Sequence, residues 1–462
     1  MKIELAKNEL IHFVGIGGIG MSGLALIMKG MGFKIQGSDI SYNKNVERLK
    51  KNKIKVNLGH RKKNINKATL LVISSAIKKN NPEILEAKKK QLPIYKRGQM
   101  LAHITSLTKN IVVTGSHGKT TTTSLIAAIF SKTKLDPTII NGGVLNSLKN
   151  SARLGKSNWS ILESDESDGS FIDIHPTYSL ITNIDREHMD YYKNIDSLKN
   201  FFFRFIEKTP SFGKSFICID DKNSKEIIKR IKIKNFYTYG VDIKSQFKIK
   251  NINQLKGFSK FDVEIDLPGK KNLTIKKIII PLLGMHNIRN ATAALAVAFT
   301  IGISIEIIKA SLKEFKGVQR RFNKIFTYKG CEFFDDYAHH PTEIKEVLNG
   351  VKESYKKEEI ICVFQPHRIS RLKDLRKEFS KCFKKADEVI LCPIYSAGEK
   401  LKLGFKYAEF AKEIIKNSNV KVFMIKNQNE LRNFIKQHVY GKKIVIGMGA
   451  GSISNWMKKL QI

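Results

Sequence analysis

The run Val113-Thr114-Gly115-Ser116-His117-Gly118-Lys119-Thr120-Thr121-Thr122-Thr123 decides how the rest of the chain is read. It follows the apolar stretch Ile111-Val112-Val113 and opens the helix-like stretch Ser124–Phe130. A glycine turn between a strand and a helix lets backbone N–H groups close around phosphate oxygens, and the helix N-terminus favours negative charge. Lys119 is expected to reach the terminal phosphates as a point charge, and Thr120 to offer a hydroxyl to Mg2+. The match to GxxxxGK[ST] is imperfect: Val113 stands five positions before Gly118, and the nearest upstream glycine is Gly115. The loop is therefore read as a variant. A bare Gly-Lys-Thr turn without a ligand is the plainer alternative, but strand, loop and helix fall in the order that a phosphate site requires.

Working outward, two acidic runs follow apolar strands in the same block. These are Glu163-Ser164-Asp165-Glu166-Ser167-Asp168 after Ile161-Leu162, and Asp185-Arg186-Glu187-His188-Met189-Asp190 after Ser179–Ile181. Acid clusters at the C-terminal ends of neighbouring strands lie where open α/β sheets bind ligands, and Mg2+ prefers such oxygen donors. An isolated acidic turn is usually only solvated; the phosphate loop in the same block argues for a metal role. Upstream, Gly15-Ile16-Gly17-Gly18-Ile19-Gly20 contains a full GxGxxG, with Asp39 after a second strand. Alone, this would predict an NAD-dependent oxidoreductase. Its physics is a pyrophosphate site at a helix N-terminus, however, and with a triphosphate loop downstream a UDP diphosphate fits as well.

Three blocks emerge. The first has strands at Ile11–Val14, Lys34–Gln36 and Leu70–Ile73, with a helix over Met21–Met28. The second begins near Asn110 and adds strands at Trp159–Leu162 and Tyr178–Thr182 and an Ala-rich helix over Asn287–Phe299. Between Lys244 and Ile280 a β-like alternation predicts an antiparallel insert. The third starts near Gly317, with strands at Ile360–Phe364, Glu388–Leu391, Val420–Met424 and Lys443–Ile446. Short apolar strands alternating with helices predict parallel α/β sheets.

Composition narrows the class. A formal net charge of +40 would suit a nucleic-acid-binding ATPase, but lysine far outnumbers arginine and runs along the whole chain. That pattern reads as a composition bias rather than a binding stripe. The five cysteines are scattered and never spaced as CxxC, which predicts free thiols in a cytoplasmic protein. Met1-Lys2-Ile3-Glu4 lacks the apolar core of a signal peptide, and no run of eighteen apolar residues predicts a membrane helix.

Taken together, these residues resemble the Mur ligases, the ATP-dependent amino-acid ligases of peptidoglycan precursor synthesis, over nearly the whole chain. GSHGKTTTT is similar to the family's phosphate loop, with Ser116 where Thr is usual. Gly284–Ala294 (GMHNIRNATAA) resembles the helix whose asparagines approach adenine, and Gly317–Phe322 (GVQRRF) the hinge whose arginine approaches the γ-phosphate. Gly15–Ala25, Asp335–Glu343 and Phe364–Arg371 point to the member that adds L-alanine to the lactyl carboxylate of UDP-N-acetylmuramate. The resemblance implies an α/β protein of three domains. A Rossmann-like domain over 1–108 would bind the UDP substrate. A central P-loop-type ATPase domain with a β insert would occupy 109–317. A Rossmann-like domain over 318–462 would close on ATP and amino acid. It further implies ATP contacts from Gly115, Ser116, His117, Gly118, Lys119, Thr120, Thr121, Asn287, Asn290, Arg320 and Arg321. The UDP substrate would be held by Gly15, Gly17, Gly18, Ile19, Gly20, Met21, Ser22 and Asp39, and the amino acid by His339, Arg368 and Arg371. Thr120, Glu163 and His188 would ligate Mg2+, and Lys119, His188, Arg320 and His339 would carry catalysis. A sister ligase that reattaches recycled murein peptide shares the ATP machinery and is the nearest alternative. No nucleic acid or membrane insertion is expected, and the chain is expected to be a monomer or homodimer.

Overall fold

The strand Leu10–Val14 has Ile11, His12, Phe13 and Val14 all essentially solvent-free, as expected of a strand covered on both faces. Among the described residues it lies at the centre of a five-stranded parallel sheet ordered Lys55–Leu58, Lys34–Asp39, Leu10–Val14, Leu70–Ile73, Ile94–Lys96. The strand order reverses beside Leu10–Val14. A reversal of this kind opens a crevice at the C-terminal strand ends, and the glycine turn 15–20 sits there. The structure, a computed structural model, describes residues 9–106, 108–232, 235–399 and 406–460. Met1–Glu4, read above as lacking a signal peptide, lie outside the described residues.

Among the described residues the second sheet has ten strands. Their spatial order is Leu273–Ile280, Phe258–Ile265, Phe247–Leu255, Phe236–Gly240, Lys214–Cys218, Tyr178–Ile181, Lys109–Thr114, Trp159–Glu163, Thr138–Leu145, Asn150–Arg153. Lys109–Thr114 runs parallel to both neighbours, with Thr114 opposite Ile181 and Val113 opposite Glu163. The phosphate loop therefore leaves the sheet between the two acidic runs. The expected insert is present as three strands, but it is not a separate layer. Phe247–Leu255 joins Phe236–Gly240 in parallel at Tyr239 and Gly240, so the insert extends the central sheet.

The third sheet is ordered Asn323–Tyr328, Cys331–Asp336, Lys443–Met448, Glu359–Phe364, Glu388–Leu391, Lys421–Met424, parallel except for the first pair. That first hairpin is missing from the sequence reading. Cys331–Asp336 ends in two acids, which looks unlike a buried strand. Yet Asp335 and Asp336 are buried, because Ser454 Oγ donates to one and the N–H groups of Phe322 and Ala338 donate to the other.

By compactness the chain forms two units. The first comprises 1–251, 261–279 and 289–316; the second comprises 252–260, 280–288 and 317–462. Within the first unit one apolar core runs from Ile11, Leu24 and Met28 through Val112 and Leu162 to Phe171 and Phe202, so it spans the first sheet and the second. All five cysteines are buried and unpaired, in line with the expectation of free thiols. Among the described residues no helix is long and apolar enough to cross a membrane.

Candidate active site

The helix Lys119–Phe130 begins at Gly118, whose φ of +85° lies in the left-handed region that side chains disfavour. A Cβ there would also sit 2.6 Å from Asn290 Oδ1, so the glycine lets an amide from the Ala-rich helix press onto the loop. The loop is held from the other side by the segment after Tyr178–Ile181. Asn183 Oδ1 accepts from His117 N (2.9 Å), Asn183 Nδ2 donates to His117 O (3.0 Å), and Thr182 Oγ1 donates to the same carbonyl (2.6 Å). Asp185 N donates to Ser116 Oγ (2.8 Å), and Asp185 Oδ2 lies 3.0 Å from His117 Nε2. Tertiary bonds thus fix the turn.

Lys119 folds back into this turn, donating to the carbonyls of Gly115 (2.5 Å) and Ser116 (3.0 Å) and pairing with Glu166 Oε2 at 2.7 Å. Burial alone would weaken its hold on a proton, but Glu166, Asp165 and Glu163 outweigh that and keep the ammonium well above its ordinary pKa. Thr120 Oγ1 donates to Glu163 Oε1 (3.1 Å), whose other oxygen accepts from Gly142 N (2.6 Å). His188 Nε2 lies 3.5 Å from Glu166 Oε1 and 3.9 Å from Glu187 Oε2. Burial lowers its proton affinity, yet Glu166 and Glu187 raise it overall. His188 also has φ +57°, a conformation that costs a β-carbon-bearing residue on the order of 1–3 kcal/mol and tends to persist where function demands it. Ligand atoms of Asp165, Glu166 and His188 lie within 4.8 Å of one another.

Of the expected metal set, Thr120 and Glu163 meet directly, while His188 pairs with Glu166, the partner of Lys119. Glu166 belongs to the acidic run, but nothing in the sequence singles it out there. Its side chain is fully buried, with Lys119 Nζ 2.7 Å from one oxygen and His188 Nε2 3.5 Å from the other. Its burial in the loop beyond Trp159–Glu163 is the signal that a linear acidic run lacks. These carboxylates and the Thr120 hydroxyl match the hard oxygen donors that Mg2+ takes, so they fit that ion, with the His188 imidazole a softer nitrogen beside them.

In the first sheet, Gly15 N and Ile16 N both donate to Ser38 O, and Gly17 N donates to Asp39 Oδ2 (2.8 Å). Asp39 thereby braces the turn. Gly18 and Ile19 are exposed at the start of the helix Ile19–Gly30, whose first turn holds no acid, so its N-terminus is open to an anion. Met21 and Ser22 lie buried within that helix.

The second unit gathers its own cluster. Arg320 (φ +60°) and Arg321 stack on Tyr337 at 4.8 and 5.4 Å, and Arg320 Nη2 donates to Gly449 O (2.5 Å). His339 packs edge-on to His367 at 5.9 Å, and Arg371 Nη1 lies 3.3 Å from His367 Nδ1. Burial, His339 and Arg371 push His367 down to about 3, so it is a neutral imidazole at ordinary pH. Arg368 (φ +67°) donates its N–H to Tyr395 O. His367 and Tyr395, stacked at 5.6 Å, are not distinguished by the sequence alone. Asn287, expected near adenine, donates to Leu283 O (2.7 Å).

Across its full length the chain is 73% identical, over 460 residues and 99% of the relative, to a UDP-N-acetylmuramate–L-alanine ligase of Pelagibacter ubique. The chain belongs to the Mur ligase family. Three Mur ligase profiles tile it: the family's catalytic domain over 10–109, the middle domain over 113–298 and the glutamate ligase domain over 320–451. A UDP-N-acetylmuramate–L-alanine ligase of Rickettsia bellii is 43% identical, covering 99% of this chain and 98% of its own. Among solved structures, the UDP-N-acetylmuramate–alanine ligase of Thermotoga maritima superposes with a TM-score of 0.81 at 28% identity over 97% of both chains. A murein peptide ligase of Psychrobacter arcticus shares the Mur ligase fold, with a TM-score of 0.73 at 21% identity over 98% of both chains. Mur ligases are ATP-dependent, and the loop around Lys119 falls within the matched middle domain.

Proposed function

We propose that this chain joins L-alanine to the lactyl carboxylate of UDP-N-acetylmuramate, with ATP converted to ADP and phosphate, in peptidoglycan precursor synthesis. The observation that carries the reading is the Lys119 ammonium, held by Gly115 and Ser116 carbonyls at a helix N-terminus and paired with the buried Glu166 carboxylate. A carboxylate acylates poorly because oxide is a poor leaving group. Transfer of the γ-phosphoryl to the carboxylate oxygen makes phosphate the leaving group. The alanine amine then adds to the carbonyl carbon, and the tetrahedral adduct expels phosphate. Both early steps crowd anions together, so fixed cations lower the barrier.

In this reading Lys119 and the amides of Gly115–Thr121 hold the phosphates, while Asn287 and Asn290 lie toward the base. Arg320 or Arg321 meets the γ-phosphate, and His339, Arg368 and Arg371 orient the carboxyl group and alanine. Gly15–Ser22 and Asp39 form the diphosphate turn. Thr120, Glu163 and His188, with Glu166 beside them, would hold Mg2+, which when bound supplies charge neutralisation at the phosphates. The working domains are 1–108, 109–317 and 318–462, and the protein is cytoplasmic. The test is phosphate release from purified chain. Release must require both UDP-N-acetylmuramate and L-alanine, and L-alanine must outrun glycine, L-serine and a murein tripeptide. Release without the sugar nucleotide, or a preference for the tripeptide, overturns the reading.

A further inference from the structure

Arg97 has no part in the machinery described so far, yet it stands between that machinery's two anion sites. It is the first residue of the helix Arg97–Thr105, whose start is tied down by Lys96 N donating to Gln99 Oε1 (2.9 Å). On one side its guanidinium lies over the diphosphate turn: a Cβ on Gly20 would fall 3.3–3.5 Å from Arg97 Cδ, Nη1 and Nε, so the side chain packs against this glycine. On the other side it meets Asp165, in the cluster beside Lys119, at a loose 3.9 Å and with both side chains partly exposed. The guanidinium is therefore accessible and weakly engaged.

A diphosphate at the N-terminus of Ile19–Gly30 needs more countercharge than the helix supplies, since a helix end carries only about half an elementary charge. The first turn of that helix contains no acid to repel it, and Gly18 caps it without a side-chain bond. The other arginine close to the turn, Arg48, is committed on the inner side to Ser22 Oγ (3.0 Å) and Asn150 Oδ1 (2.6 Å). A planar guanidinium matches paired phosphate oxygens, and contact with a phosphate is stronger than a 3.9 Å pair with an exposed carboxylate.

We propose that Arg97 is a substrate-binding residue for the diphosphate of the UDP substrate, exchanging Asp165 for phosphate oxygens when the nucleotide enters. This rests on the function proposed above. The experiment is calorimetric titration of the full chain with UDP, with UDP-N-acetylmuramate and with a non-hydrolysable ATP analogue, for wild type, Arg97→Ala and Arg97→Lys. Loss of a charged hydrogen bond predicts that Arg97→Ala weakens UDP and UDP-N-acetylmuramate alike, by about tenfold or more, with Arg97→Lys in between and the ATP analogue bound as in wild type. Unchanged UDP affinity in Arg97→Ala overturns the assignment, and a loss confined to UDP-N-acetylmuramate overturns it in favour of the lactyl carboxylate. Should Arg97→Ala also lose the ATP analogue, Arg97→Lys decides: weaker UDP binding with intact analogue binding supports the assignment, and equal UDP binding sinks it. Wild type that binds the ATP analogue but neither UDP ligand would instead fail the substrate reading itself.

Discussion

Lys119 is surrounded by more negative charge than positive, so its ammonium stays protonated and the triphosphate it is proposed to meet must displace Glu166 from it. Lys119→Ala is expected to lower turnover by about a hundredfold or more, the usual consequence of removing one preorganised donor from developing charge. UDP-N-acetylmuramate affinity should stay within about twofold, since the first glycine turn makes no use of this side chain. Phosphate release and titration calorimetry together check both halves, and normal ligation by the variant would refute the loop assignment. Lys119 and Thr120 were legible because a glycine turn must be contiguous in sequence. Glu166, Arg97 and His367 were not, because their roles come from burial and from partners far along the chain, such as Gly20 beside Arg97.

At the scale of elements, the loop and the strand ends can be perturbed separately. Gly118→Ala forces a β-carbon into a left-handed residue and against Asn290, so it is expected to destabilise the fold by about 1–2 kcal/mol and to weaken ATP binding. Thermal unfolding with and without an ATP analogue measures both. A second element-level device is the fully buried Glu83, which ties His12 in the first strand and Ser38 in the second to His60 and Asn64. A lone histidine such as His60 reads as structural from the sequence, and its contacts in this network agree. Burial would raise the Glu83 pKa, but His12, Ser38 and Asn64 outweigh it and hold the carboxyl at about 2, against an ordinary 4.5. A depressed acid pKa stabilises the fold in full above the ordinary value, and that support disappears as pH falls through the depressed one. Glu83→Gln should therefore lose about 1–3 kcal/mol at neutral pH, with the gap to wild type narrowing between pH 4.5 and 2. Urea unfolding across that range is the measurement; a gap that stays constant would remove the carboxylate's role.

For the whole molecule, the +40 charge raises the remaining question. If the charge is composition bias, duplex DNA will not stimulate phosphate release, and any DNA retention will vanish steeply with salt. Stimulation by DNA would reopen the nucleic-acid reading.

Contiguous chemistry was open to reading from the chain alone. The two glycine turns, the strand before each and the helix after each are local, because backbone hydrogen bonds and side-chain period act over a few residues. The parallel α/β class followed from the same periodicity. Tertiary structure alone decided that Lys109–Thr114 lies between the two acidic runs, that the β insert continues the central sheet and that Asp335 and Asp336 finish a buried strand. Strand neighbours are chosen by packing over long separations, and a buried acid is stable only once donors such as Ser454 have been brought to it.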